Sequence, residues 1–321
     1  MTLVLADKWV WDFWFAQDGP DTHIFYLQAD RSLGDESLRH WHVSVGHAVS
    51  QDLRHWDILP DALRPSARPE AFDSYTTWTG SIIRHAGQWH LFYTGGNRSE
   101  HGLVQRIGLA TSTDLLNWER CPDSPLIETD PRWYELLDLP AWHDQAWRDP
   151  WVFQGDDGWF HAAITARVRE GATDARGVIA HARSADLRRW EVLPPLTAPG
   201  EFGQMEVPQV VTIGGHSYLL FSVGAGQHSA ARRARLGRAV TGTHYLAAQN
   251  PLGPYRYLTD EFLVGDTHGS LYSGKLVQDS AGAWWFMAFC NFAPDGTFIG
   301  AITDPMPVTV EADGRLRVER A

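Results

Sequence analysis

The motif Ser-x-Asp-Leu-x-x-Trp occurs three times, and its recurrence restricts the fold more than any other feature of the chain. The copies are His47-Ala-Val-Ser-Gln-Asp-Leu-Arg-His-Trp56, Leu109-Ala-Thr-Ser-Thr-Asp-Leu-Leu-Asn-Trp118 and His181-Ala-Arg-Ser-Ala-Asp-Leu-Arg-Arg-Trp190, with tryptophans 62 and 72 residues apart. A degenerate fourth copy is Tyr245-Leu-Ala-Ala-Gln-Asn-Pro-Leu-Gly-Pro-Tyr255. Each follows a run of β-formers and leads into another short strand, so it reads as a strand–turn–strand corner. Ser or Asp can bond its own turn backbone, which makes Asp52, Asp114 and Asp186 corner residues rather than catalysts. Between the corners lie aromatic, β-branched runs at Thr22–Ala29, Gln88–Thr94, Gly158–Thr165, His216–Val223 and Ala283–Phe289. Five such units in 321 residues average about 64 residues each, the size of a four-stranded propeller blade. No segment carries a 3.6-residue apolar period over four turns. The predicted fold is all-β: a single five-bladed β-propeller with four-stranded blades over residues 1–321, with a two-sheet β-sandwich as runner-up.

Composition narrows the function classes. A formal net charge of −12, with only Lys8 and Lys275 as lysines, argues against nucleic acid as a partner, because phosphate contacts dominate that affinity. The densest basic run, Arg232, Arg233, Arg235 and Arg238, is short and reads as a solvated loop. The longest apolar run, Ala283 to Cys290, is far below the roughly 20 residues a bilayer demands, so no membrane partner is predicted. No signal peptide is visible at the start of the chain, and two cysteines, Cys121 and Cys290, make no disulfide framework. The resulting expectation is a cytoplasmic protein with reduced thiols. The 16 Trp, 14 Phe and 9 Tyr suit either sugar binding or an aromatic-rich β core.

The innermost strands of a propeller converge on its axis, so one short motif per blade can meet in a funnel. The five candidates are Trp9-Val-Trp-Asp-Phe-Trp14, Trp78-Thr-Gly-Ser81, Arg148-Asp-Pro-Trp-Val-Phe153, Glu206-Val-Pro-Gln209 and Gly269-Ser-Leu-Tyr-Ser-Gly274. Three of them carry a carboxylate: Asp12, Asp149 and Glu206. A carboxylate among Trp, Phe, Val and Pro is costly to bury unless its surroundings use it. His40, His42, His47 and His55 lack a carboxylate–His set of familiar spacing, and no phosphate-binding glycine loop leads from a strand into a helix. Neither a metal nor a cofactor is therefore predicted.

The segment His23-Ile-Phe-Tyr-Leu-Gln…Val45-Gly-His-Ala-Val-Ser-Gln-Asp-Leu-Arg-His-Trp-Asp-Ile-Leu-Pro60 closely resembles the first blade of glycoside hydrolase family 32, the invertase and fructanase family. Trp78-Thr-Gly-Ser81, Arg148-Asp-Pro150, the Glu206 motif and Gly269-Ser-Leu-Tyr272 extend the resemblance over the whole chain. Departures are Trp11-Asp-Phe-Trp14, closer to the Trp-Asp of levansucrase family 68, Val207 after Glu206, and the displaced Gln28. The chain also ends without the C-terminal β-sandwich usual in family 32, an absence that leaves a flank a homodimer could cover.

What the resemblance implies is a retaining β-fructofuranosidase-like enzyme that hydrolyses or transfers fructosyl units of sucrose or short fructo-oligosaccharides. Asp12 would be the nucleophile, Glu206 the acid/base and Asp149 the stabiliser of ring hydroxyls and developing charge. Two anions near Glu206 are expected to keep it protonated near neutrality. Arg148 would donate to hydroxyls, Trp11, Trp78 and Tyr272 would wall the sugar, and Ser81 would contact it. The rival readings are an inverting arabinofuranosidase or xylosidase of the family 43 kind, and a sugar-binding propeller without turnover.

Overall fold

The computed structural model describes residues 3–319. Its strands form five antiparallel sheets, each a meander in chain order. The first holds β1 (Lys8–Asp18), β2 (Asp21–Asp30), β3 (Ser44–Ser50) and β4 (Asp57–Leu63); the second holds β5 (Thr76–His85), β6 (Gln88–Gly96), β7 (Gln105–Ser112) and β8 (Glu119–Arg120). The third holds β9 (Trp147–Gln154), β10 (Phe160–Arg167), β11 (Gly177–Ser184) and β12 (Glu191–Leu193). The fourth holds β13 (Glu206–Ile213), β14 (His216–Val223), β15 (Thr241–Ala248) and β16 (Val264–Asp266). The fifth holds β17 (Leu271–Gln278), β18 (Trp284–Phe292), β19 (Phe298–Ile302), β20 (Met306–Val310) and β21 (Leu316–Val318). These are the blades of the five-bladed β-propeller class. The fifth blade departs from four strands because its third strand is broken: β19 and β20 both pair with β18. Pro305, which offers no N–H and disfavours regular backbone at Asp304, lies in the break.

The chain forms two compact units. One comprises residues up to Asp61, Gln209–Ala225 and Val240 onward; the other comprises Ala62–Pro208 and Gly226–Ala239. In the first, β1 lies beside β17 and β19, and Leu3 pairs with Ile302, tying the start of the chain to its last blade. Its core includes Tyr218, Leu220, Tyr245, Leu276 and Phe286. In the second, β9 packs on β5, β6 and β7 around Phe92, Ile107, Trp147, Phe160 and Ile164.

The repeated motif is a corner in all three copies. Asp52 Oδ1 accepts the N–H groups of Arg54 and His55, Asp114 Oδ1 those of Leu116 and Asn117, and Asp186 Oδ1 those of Arg188 and Arg189, all at 2.8–2.9 Å. The serine two residues earlier donates to the same oxygen in each copy. The following leucines, Leu53, Leu115 and Leu187, adopt positive φ of 60–64° and are fully buried, the side chain repaying the backbone strain. These donors hold the carboxyls below the usual range, Asp52 chiefly through the His55 side chain, Asp114 through the Asn117 N–H and Asp186 through the Arg189 N–H. Asp186→Ala is expected to cost about 1 kcal/mol in urea unfolding, the scale of a lost capping carboxylate, and Asp186→Asn less.

The arginine-rich run is a correction to the sequence reading. Residues Ala230–Leu236 form a helix, α1, with Ser229 as N-cap and Gly237 at φ 67° closing it. Arg232 is buried, paired with Glu201 and lying over Phe202 at 4.7 Å from the ring centre. Two turns are too short for an apolar period to announce, and the buried cation stays hidden until Glu201 is placed beside it.

Two blades each set a buried histidine, His47 or His161, against a half-buried one. His23 Nδ1 lies 2.8 Å from His47 Nε2, and His161 Nδ1 2.9 Å from His181 Nε2. Burial, then the neighbouring histidine, pushes His47 down to about 3 and His181 down to about 4. Such histidines fold neutral, so their contribution is complete above the unfolded value near 6.5 and is lost as pH falls toward the folded value. Moving from pH 7 to pH 5 is expected to cost about 2 kcal/mol from His47 alone. Urea unfolding at the two pH values checks this, with a smaller drop in His47→Gln.

Candidate active site

The motif residues sit where the strands stop being regular. Pairing of β1 with β2 slips between Trp11 and Phe13, at Asp12. The β5–β6 ladder slips between Trp78 and Gly80, the β9–β10 ladder between Arg148 and Trp151, and the β17–β18 ladder between Tyr272 and Lys275. Asp149, Val207 and Ser273 take φ of 58°, 53° and 51°, a region costly for residues other than glycine. Pro150 and Pro208 follow two of these and have no N–H for a ladder bond. A bulge re-aims side chains that a regular pleat would point into a sheet face.

Within the second unit, Arg148 gathers three carboxylates. Its Nη2 donates to Glu206 Oε1 at 2.6 Å and its Nη1 to Asp144 Oδ2 at 3.1 Å, while Nε lies 3.7 Å from Asp149 Oδ2. Burial works against the Arg148 charge, but Asp144, Glu206 and Asp149 outweigh it and raise its pKa well above the ordinary value. Gln105 completes the cluster, donating to Asp144 Oδ2 at 2.8 Å and accepting from Arg148 Nη1 at 3.1 Å. Asp149 is fixed from both sides of its backbone bend: its N–H donates to Thr94 Oγ1 at 2.9 Å, and its Oδ2 accepts from Thr165 Oγ1 at 3.0 Å and from the Val207 N–H at 3.1 Å. The Val207 contact joins the Asp149 and Glu206 motifs directly.

Asp12 and Asp149 are the anions expected near Glu206, and the structure adds a cation. The group touching its carboxylate is the Arg148 guanidinium, which was expected to face sugar hydroxyls instead. Asp144, Gln105, Thr94 and Thr165 escaped the sequence reading, since none belongs to a recognisable motif and each gains meaning only from its neighbours in space. Asp144, four residues before Arg148, was the one with a local signal, an acid close to a motif arginine.

Within the first unit, Ser273 Oγ donates to Asp12 Oδ1. Arg39 adds a positive charge that interacts with Asp12, and its guanidinium lies 5.6 Å from the Trp11 ring centre and 4.2 Å from that of Phe298. Trp11 is almost wholly buried, with His40 edge-on at 5.8 Å. Tyr272, half-buried, meets Phe289 edge-on at 5.9 Å. Trp78, in the second unit, is half-buried on β5, and Ser81 is buried with Oγ accepting the Val152 N–H at 2.9 Å, which ties β5 to β9. Gln28 is turned to Ser44 and Asp61. His55 pairs with Asp52 and His47 with His23. Among the described residues, no group of three or more His, Cys, Asp or Glu side chains is placed to hold a metal ion.

Residues 20–294 match the family model described as the glycosyl hydrolases family 32 N-terminal domain, and the chain belongs to that family. Among curated relatives, a sucrose-6-phosphate hydrolase of Zymomonas mobilis is 29% identical over 196 residues, covering 57% of this chain and 34% of the relative. An extracellular sucrase of the same organism is 28% identical over 259 residues, covering 66% of this chain and 61% of the relative. The chain thus spans about a third to three fifths of the length of these relatives. A solved structure of inulosucrase from Halalkalicoccus jeotgali bound to kestose shares the fold, with TM-score 0.78, 20% identity, and coverage of 98% of this chain and 87% of the other. Among the described residues, no helix is long and apolar enough to cross a membrane.

Asp144→Ala would leave Arg148 Nη1 and the Gln105 amide short of a buried acceptor. The expected loss is roughly 2 kcal/mol in urea unfolding, the cost of unsatisfied buried groups.

Proposed function

We propose that the chain is a retaining glycoside hydrolase of the β-fructofuranosidase kind, acting on sucrose or short fructo-oligosaccharides, with residues 1–321 as one catalytic domain. The observation that carries this reading is the Arg148–Asp149–Glu206 cluster, two carboxylates held by one guanidinium, with the Val207 N–H also on Asp149, in a chain of family 32. The names of the two Zymomonas relatives point to the same donor class.

Fructosyl departure passes through an oxocarbenium-like state, which needs an anion behind the anomeric carbon and a proton on the leaving oxygen. Asp12 attacks that carbon as the carbon–oxygen bond to the leaving sugar breaks, and Glu206 gives its proton to the departing oxygen. Ser273 donates to Asp12 Oδ1 and so orients the attacking carboxylate. The product is a fructosyl ester on Asp12. Glu206, now a carboxylate of the kind Arg148 binds, takes a proton from water or an acceptor hydroxyl, which attacks the same carbon and frees Asp12. Asp149 holds ring hydroxyls.

The test is chromatography of sugars released from sucrose, inulin- and levan-type oligosaccharides and arabino-oligosaccharides. Wild type is expected to release fructose or form fructosyl-transfer products. Asp12→Asn and Glu206→Gln should each lose roughly a hundred- to ten-thousandfold in kcat. A fructosyl adduct on Asp12 in a trapped sample, seen by mass spectrometry, establishes retention. Arabinose release would move the chain to the inverting alternative.

A further inference from the structure

A general acid must keep its proton until the leaving oxygen takes it, and a cation in contact favours the bare carboxylate instead. Glu206 has such a cation 2.6 Å away, in Arg148 Nη2. Two further carboxylates draw on the same guanidinium. Asp144 Oδ2 lies 3.1 Å from Nη1, and Asp149 Oδ2 lies 3.7 Å from Nε. Each nitrogen of the planar fork thus faces its own carboxylate, and Glu206 meets one positive charge accompanied by two negative ones.

Of those two, Asp149 is also engaged by the Thr165 hydroxyl and the Val207 N–H. Asp144 is turned to the cation and to Gln105, whose Nε2 donates to Oδ2 at 2.8 Å. The Gln105 amide has one orientation, because its Oε1 accepts from both Arg148 Nη1 and the Trp147 N–H. Arg148 and Asp144 are each 8% exposed, so water screens their charges little. Burial disfavours the Arg148 charge; Asp144 is foremost among the anions that more than restore it, ahead of Glu206 and Asp149. Two other charged groups reach Asp144. His143 Nε2, on an exposed ring, lies 3.7 Å from Oδ1, and Arg167 acts on Asp144 from a distance while paired with Glu135.

We propose that Asp144 is a positioning residue for the acid step: it occupies one edge of the Arg148 fork and offsets its charge, so that Glu206 meets the leaving sugar with its proton in place. Gln105 keeps Asp144 on that edge. The inference rests on the proposed fructosidase reading and adds to it the residue that lets an arginine-bound glutamate serve as an acid.

The test is the pH dependence of kcat/KM for sucrose in the full chain, whose basic limb reports loss of the acid's proton. Asp144→Asn keeps the shape and an acceptor for Arg148 but removes the charge. It should move the basic limb about one pH unit lower, the effect of one neighbouring charge, which is about tenfold in activity on that limb. Gln105→Glu adds an anion against the same guanidinium and should move the limb higher. Asp144→Asn combined with Gln105→Glu restores the charge count and should return the limb close to its wild-type position. A purely structural Asp144 would lower activity equally at every pH, with no rescue by the relocated charge. That result, or a basic limb that stays or rises in Asp144→Asn, would overturn the proposal. If Asp144→Asn does not fold, Gln105→Glu alone decides, an unmoved or lowered limb refuting it. Failure of wild type to cleave any fructoside would sink the fructosidase reading instead. Carbon-13 NMR titration of the Glu206 carboxyl, assigned by its loss in Glu206→Gln, then reads the charge effect directly. A midpoint about one pH unit lower in Asp144→Asn supports the role of Asp144, and an unchanged midpoint refutes it.

Discussion

The Arg148 guanidinium is the interaction on which the candidate site depends. Two nearly buried carboxylates, Asp144 and Asp149, and the partly buried Glu206 could not stand together without a cation among them, because desolvation and mutual repulsion both oppose charge. A guanidinium suits the task better than an ammonium: its planar fork directs Nη1 to Asp144 and Nη2 to Glu206 at once and remains charged when buried. Gln105 then closes the network by bonding both Arg148 and Asp144, so the arginine head has one orientation.

Backbone strain serves the same end. Asp149 and Val207 both sit at positive φ immediately before prolines, and the Val207 N–H meets Asp149 Oδ2. Ser273, at positive φ in β17, reaches Asp12 through its side-chain hydroxyl. The corners use strain for packing instead: Leu53, Leu115 and Leu187 bend the chain and bury the side chain in one step, while the preceding aspartate satisfies the turn N–H groups.

Trp11, one of the three aromatics expected to wall the sugar, lies almost wholly buried in packing. Trp11 is covered by Arg39 and His40, and the Ser81 hydroxyl is committed to Val152. Residue type in a tryptophan-rich chain does not separate these cases; the layer in which each ring lands does.

The sequence by itself determined the blade architecture, because the Ser-x-Asp-Leu-x-x-Trp corner is a local object: its hydrogen bonds run over two or three residues, and its repeats, with the five β-rich runs around them, set the blade unit. It also marked Asp12, Asp149 and Glu206, since a carboxylate in an apolar strand motif is conspicuous before any folding. The broken third strand of the last blade, helix α1 around buried Arg232, and the partners of Arg148 were decided only by tertiary structure. Asp144 and Gln105 meet Arg148 across 4 and 43 residues, and Arg148 meets Glu206 across 58. Ion pairs over such separations follow from how strands are stacked and bulged, and no short sequence pattern encodes that.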